Sequence, residues 1–187
     1  MKAYLILEDG NVYEGENVGA FREAVSEIVF NTSMTGYLEV MTDPSYAGQA
    51  VVMTYPLIGN YGICYDDMES YRPWIDGLIV RELSEVASNF RNEDSIQNFL
   101  IKNNIPCICG IDTRDLTKRL REHGTMNGFI TVDSSFVVEK ILQRIKEYSV
   151  KDVVKITSTK ETYILPGKGK RVVLIDFGAK KNIARQL

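Results

Sequence analysis

Histidine occurs once and cysteine three times in the 187 residues, and that scarcity removes several kinds of chemistry at the outset. An odd, sparse cysteine count is no disulfide framework and agrees with a reducing compartment. A structural zinc site normally draws on about four Cys or His ligands. Cys107 and Cys109, two apart in NIPCICGI, lack that company and read as small hydrophobes sharing one face of a strand. No apolar run approaches the roughly 18 residues that mark a membrane span. The run inside MKAYLILEDG is also too short for the core of a signal peptide. Basic residues are not in excess: the net charge is -3 and the isoelectric point is near 5.3. A protein that grips a phosphate backbone usually presents a basic face instead. A cytoplasmic protein with neither a nucleic-acid nor a membrane partner is therefore expected.

Catalytic signatures are missing as well. No GxxxxGK[ST] phosphate loop occurs. The tetrapeptide DFGA at Asp176 has no HRD or VAIK partner, so a kinase reading fails. Cys64 is the one nucleophile-like thiol, but its neighbours are Tyr65, Asp66 and Asp67. Nearby carboxylates raise a thiol's pKa, whereas a catalytic thiol needs a base that favours thiolate. His123, among Arg119, Arg121 and Glu122, reads as a solvated imidazole, and a Cys64–His123 dyad is set aside.

What is present is a polar, turn-rich stretch between two apolar runs. Residues 30–62 read FNTSMTGYLEVMTDPSYAGQAVVMTYPLIGNYG. Gly36, Gly48, Gly59 and Gly62 permit unusual backbone and close approach, while Pro44 and Pro56 stiffen the turns. Short hydroxyl and amide side chains on such a loop suit a polar ligand or a facing protein surface. A connector whose Ser and Asn serve their own backbone fits equally well.

Around it the periodicity is that of an α/β protein with a mixed sheet and helices packed on it. A hairpin is expected about Asp9-Gly10-Asn11, with strands over 25–30, 49–55, 77–82, 105–110 and 126–132. A short helix is expected near 37–42, and longer ones over 95–102 (capped by Asp94 or Asn92), after Asp112, and over 135–148. The pattern lapses after Asp152, and 157–170 has linker composition. RVVLIDF (171–177) then reads as a β-branched strand of the kind buried in a parallel sheet, followed by a turn at Gly178 and the start of a helix. One βα unit cannot bury itself. It is expected either to open a second domain of a longer protein or to complete the first domain's sheet.

FNTSMTGY (30–37), TDPSY (42–46), TYPLIGNYG (54–62), SNFRN (88–92), GIDTRDLTKRLRE (110–122) and DFGAKKNI (176–183) occur in that order along nearly the whole chain. In these motifs the sequence resembles the small, glutamine-hydrolysing subunit of carbamoyl-phosphate synthase. The resemblance implies three parts: an N-terminal domain over 1–152 of three-layer β/β/α swivelling type, a linker over 153–170, and over 171–187 the first βα element of a class I glutamine amidotransferase domain. In that family a Cys-His-Glu set releases ammonia from glutamine. The ammonia passes to a large subunit that makes carbamoyl phosphate with bicarbonate and ATP, for arginine and pyrimidine synthesis. The resemblance places none of the catalytic set in this chain and no cofactor either, since ATP and metal are expected on the large subunit. The implied partners are that subunit and glutamine. One contact carries over: the serine of TDPSY, here Ser45, is expected to help bind glutamine, with Asp43 and Tyr46 fixing its loop. The alternative is a non-catalytic assembly module that contacts only the large subunit.

Overall fold

Apolar residues alternate through Lys2–Leu7 (β1), so that Leu5 and Leu7 face one side and Ile6 the other. In the structure, a computed structural model describing residues 1–187, β1 turns through Asp9-Gly10-Asn11 into Val12–Asn17 (β2), the expected hairpin. The chain continues through Ala24–Asn31 (β3), Tyr37–Thr42 (α1), Gln49–Met53 (β4) and Leu57–Ile58 (β5). Gly77–Ile79 (β6), Glu82–Leu83 (β7), Ile96–Lys102 (α2) and Cys107–Cys109 (β8) follow. Thr113–His123 (α3), Met126–Thr131 (β9), Val138–Glu147 (α4), Val153–Thr157 (α5) and Lys181–Gln186 (α6) complete it.

Seven strands close into a barrel in the order β1-β2-β8-β6-β4-β3-β9, and β9 pairs back onto β1. The fold is thus α/β with a mixed sheet, as expected. β3, β4, β6 and β8 run parallel to one another, and β1, β2 and β9 complete the barrel through antiparallel pairs. The residues expected as one strand over 77–82 divide: β6 enters the barrel and β7 pairs with β5 in a separate ribbon.

Strand alternation sorts the apolar residues into three clusters. Leu5, Leu7, Ile28, Ala50, Val52, Ile79, Ile108 and Ile130 pack together, joined by Leu116 and Leu120 of α3. Val51, Met53, Leu78, Val80 and Cys107 point the other way, beneath Tyr37, Leu38 and Met41 of α1 and Phe99 and Leu100 of α2. The parallel strands are therefore buried on both faces, which is why they read as continuous apolar runs. On the antiparallel side, Ile6 and Phe129 receive Ile141 and Ile145 of α4.

Helix signals land with small corrections. Asp112 caps α3, its side chain accepting from the amides of Arg114 and Asp115, and Gly124 follows the helix. α2 is capped by Ser95, not by Asp94 or Asn92; Asp94 instead accepts from the Ser95 amide. α5 forms where the hydropathy pattern had lapsed.

The expected strand over 171–177 does not form: these residues join no sheet, and Val173 is 83% and Ile175 72% exposed. The reason is topological. Each barrel strand is already paired on both sides, and a closed barrel has no edge to offer. Completion of the first sheet by this segment is excluded.

Candidate functional site

α1 ends on a bracket of polar contacts that determines where Ser45 sits. Thr42 is fully buried; its hydroxyl donates to the Leu38 carbonyl (2.8 Å) and accepts from the Glu69 amide (2.9 Å). The Ser70 hydroxyl donates to the Thr42 carbonyl (2.7 Å) and accepts from the Trp74 indole (2.8 Å). Beyond this anchor the chain leaves the helix as Asp43-Pro44-Ser45, and Pro44–Tyr46 form a single 3-10 turn. Proline suits the first position of such a turn because its φ is preset and its missing N–H has no partner to lose.

Asp43 does two jobs with its two oxygens. Oδ1 accepts the Ser45 amide at 2.9 Å, and Oδ2 pairs with the Lys180 ammonium at 3.0 Å. The hydrogen bond to Asp43 and the charge of that carboxylate push the Lys180 pKa up, holding it cationic at any physiological pH. Tyr46, the other residue expected to fix the loop, accepts from the Asn31 side-chain amide through its hydroxyl (3.0 Å). Ser45 itself is exposed, and its hydroxyl makes no hydrogen bond within the chain. A turn braced on both sides therefore presents one unengaged donor and acceptor.

The residues opposite belong to the DFGAKKNI stretch. Asp176 Oδ1 accepts from the amides of Gly178 (2.8 Å) and Ala179 (2.7 Å), folding a tight turn against the Ser45 turn. Gly178 has φ +105°, and a Cβ there would come within 2.8 Å of the Thr157 hydroxyl and 3.2 Å of Pro44 Cβ. Only glycine suits both the conformation and the approach. Beside these turns opens a groove of about 560 Å³, its walls including Pro44, Glu69, Trp74, Tyr163, Asp176 and Arg185. Ser45 does not line that groove; it lies at the neighbouring position beyond Pro44.

The other reactive side chains are kept apart. Cys64 precedes the 3-10 turn Tyr65–Asp67, while His123 ends α3, its Nδ1 3.0 Å from the Arg119 carbonyl; no contact joins them. Cys107 is fully buried, and burial pushes its thiol pKa well up. Cys109 packs on the same cluster, so the two share a face as expected. No group of three or more His, Cys, Asp and Glu is placed to hold a metal ion. No helix is long and apolar enough to cross a membrane. Sequence reasoning missed Glu69, which sits in the unremarkable run DDMES and whose carboxylate finds its partner, Asn182, more than 100 positions away.

Among curated relatives, the carbamoyl phosphate synthase small chain of Oceanobacillus iheyensis is 52% identical over 187 residues, all of this chain and 51% of that one. The Clostridium perfringens small chain is 52% identical, covering 99% of this chain and 53% of that one. The pyrimidine-specific small chain of Halalkalibacterium halodurans is 51% identical over the whole chain and 52% of its own length. The chain thus spans about half the length of the curated relatives it matches. Among solved structures, an aminopeptidase from Aneurinibacillus sp. strain AM-1 overlaps 69% of this chain and 30% of that one with a TM-score of 0.42 at 15% identity, too loose a likeness to bear on function. The family model described as carbamoyl-phosphate synthase small chain, CPSase domain, matches residues 5–130, which takes in most of the barrel and the Ser45 turn. The chain belongs to the carbamoyl-phosphate synthase small-chain family.

Proposed function

We propose that this chain works as part of the small subunit of a glutamine-dependent carbamoyl-phosphate synthase. It lends one wall to the glutamine site and a surface to a large subunit, and carries no catalytic group of its own. The barrel and its helices correspond in this reading to the swivelling-type N-terminal domain, and residues 171–187 to the opening βα element of an amidotransferase domain. Ammonia released from glutamine goes to the large subunit, which holds ATP and metal and forms carbamoyl phosphate. The observation that carries the reading is the Ser45 hydroxyl, free of internal partners on a turn locked by Asp43 and Pro44. Such a hydroxyl can serve an amide or carboxylate in either sense, as donor or acceptor.

The test is Ser45→Ala in the full small chain assembled with its large chain. One hydrogen bond to a polar ligand contributes about 1–2 kcal/mol, so the KM for glutamine should rise roughly 5- to 30-fold. Synthesis from free ammonia bypasses that pocket and should be unchanged. Equal loss of both activities would remove Ser45 from the glutamine site.

A second reading, a module that contacts only protein, is favoured by the SNFRN loop. Phe90 is 98% exposed there, yet its loop is braced by Arg91–Asp67 (2.8 Å) and by the Ser88 amide on the Asn60 carbonyl (2.9 Å). Amide exchange separates the two: glutamine protects the amides of Asp43, Ser45 and Tyr46 under the first reading, and only the large subunit protects the SNFRN face under the second.

A further inference from the structure

Glu69 is a buried acid, 5% exposed, whose carboxylate reaches neither lysine nor arginine. Burying a charged carboxylate is costly unless hydrogen bonds replace the lost water. Here both oxygens serve one residue: Oε2 accepts the Asn182 backbone amide at 3.1 Å, and Oε1 the Asn182 side-chain amide at 2.9 Å. The Glu69 backbone completes the grip. Its carbonyl accepts the Lys181 amide at 2.7 Å, and its amide donates to the Thr42 hydroxyl at 2.9 Å. A two-point contact fixes direction as well as distance. A continuous path of hydrogen bonds and backbone thus runs from Asn182 through Glu69 and Thr42 to Asp43 and Ser45.

One further contact ties α6 to the body: the Arg185 guanidinium donates to the Asp66 carbonyl at 2.5 Å. None of its residues is buried, so apolar packing does not orient it. The neighbouring Asp43–Lys180 pair joins a nearly buried carboxylate to a lysine that is 46% exposed, and solvent on that side weakens its hold. The two-point grip on the start of the helix therefore falls to Glu69, while Arg185 ties its far end.

We infer that Glu69 is a positioning residue: by clasping Asn182 it sets the distance and angle between the Ser45 turn and the Lys180–Asn182 turn, and so the fit of glutamine between them. The inference rests on the reading of Ser45 given above. Glu69 touches no substrate; it acts through Thr42 on one side and Asn182 on the other.

The chemistry of the clasp supplies its own control. Asn182→Asp sets two carboxylates against each other, and Glu69→Gln turns one acceptor into a donor. In the double variant Glu69→Gln/Asn182→Asp, the Gln amide donates to the Asp carboxylate while its oxygen accepts the residue-182 backbone amide, so both bonds return with the charge relocated. In the full small chain assembled with its large chain, Asn182→Asp should raise the KM for glutamine tenfold or more, with a smaller change in kcat and none in ammonia-dependent synthesis. Glu69→Gln should fall between, and the double variant should return to within about threefold of the parent. In the 187-residue chain, amide exchange at residues 181 and 182 should quicken in the single variants and recover in the double. If exchange quickens while the glutamine KM stays put and Ser45→Ala still raises it, the positioning role is overturned and the Ser45 reading stands. If Ser45→Ala also leaves the KM unmoved, both fall. If the double variant is no better than the singles, or ammonia-dependent synthesis drops in step, Glu69 is merely structural.

Discussion

Asp94 is ringed by donors: the Lys102 ammonium at 2.6 Å, the Ser95 amide at 2.9 Å, the Asn98 side chain at 3.0 Å and the Tyr65 hydroxyl at 3.2 Å. Burial works to raise its pKa, but the hydrogen bonds from Lys102, Asn98, Ser95 and Tyr65 outweigh it and hold the carboxyl below the ordinary range. A carboxyl depressed in the folded state stabilises the fold fully above its unfolded pKa, near 4, and loses that contribution as pH falls through the folded value. Asp94→Asn should therefore cost about 1 kcal/mol near pH 7. The gap between parent and variant should close as the pH drops below about 4, which urea unfolding across that range would measure. A gap that does not change with pH would mean that the carboxylate's charge is not what matters. This residue also marks what a sequence can tell at the scale of one side chain. That a cap lay near 92–95 could be read from composition, but which of these polar residues faced the helix depended on backbone direction. Ser45 was visible only through its motif, because nothing in a lone serine distinguishes an unengaged hydroxyl from a turn-former.

Barrel closure depends on how closely β2 can approach β8, which pair over only Glu16↔Cys109 and Asn17↔Ile108. Gly15 makes that approach possible: a Cβ there would lie 2.3 Å from the Cys109 carbonyl oxygen and 2.7 Å from Ile108 Cγ2. The first of these is backbone and cannot swing aside. Gly15→Ala should push the strands apart and cost roughly 2–3 kcal/mol. Faster exchange of the Val18 and Ala20 amides, which donate to Cys107 and Ile105 across the seam, would report the opening. Gly167→Ala is the control: it has open space around it and should stay within about 0.5 kcal/mol. A lowered midpoint without faster exchange at the seam would place the damage elsewhere. Individual strands and helices were legible because alternation and caps are local signals. Closure was not, because it depends on pairings between β2 and β8 some 90 positions apart. For the same reason residues 171–177 misled: a strand's residues predict its willingness to pair, while the partner's edge is set by the rest of the fold.

At the scale of the whole molecule, those residues form a run of exposed apolar side chains. Val173 (83% exposed), Ile175 (72%) and Phe177 (65%) are open to solvent, and Val172 and Leu174 are exposed with them. Extended β-branched residues with unpaired backbone groups are a template for pairing with another chain. In the proposed subunit, an amidotransferase sheet would bury both faces. In the 187-residue chain the same surface should pair with its copy in a neighbouring molecule. Sedimentation velocity should then show mass rising with protein concentration, and Val173→Lys/Ile175→Lys should return the chain to monomer by setting like charges against each other in any pairing. Because the segment makes no sheet contact with the barrel, the double substitution should move unfolding stability by no more than about 0.5 kcal/mol. Association that persists in the lysine variant would shift attention to another exposed apolar side chain, with Phe90 at 98% the next to test. A large loss of stability would instead mean that residues 171–177 pack on the body. If the first result holds, the barrel is closed on itself while residues 171–177 stay open to a sheet supplied from outside it.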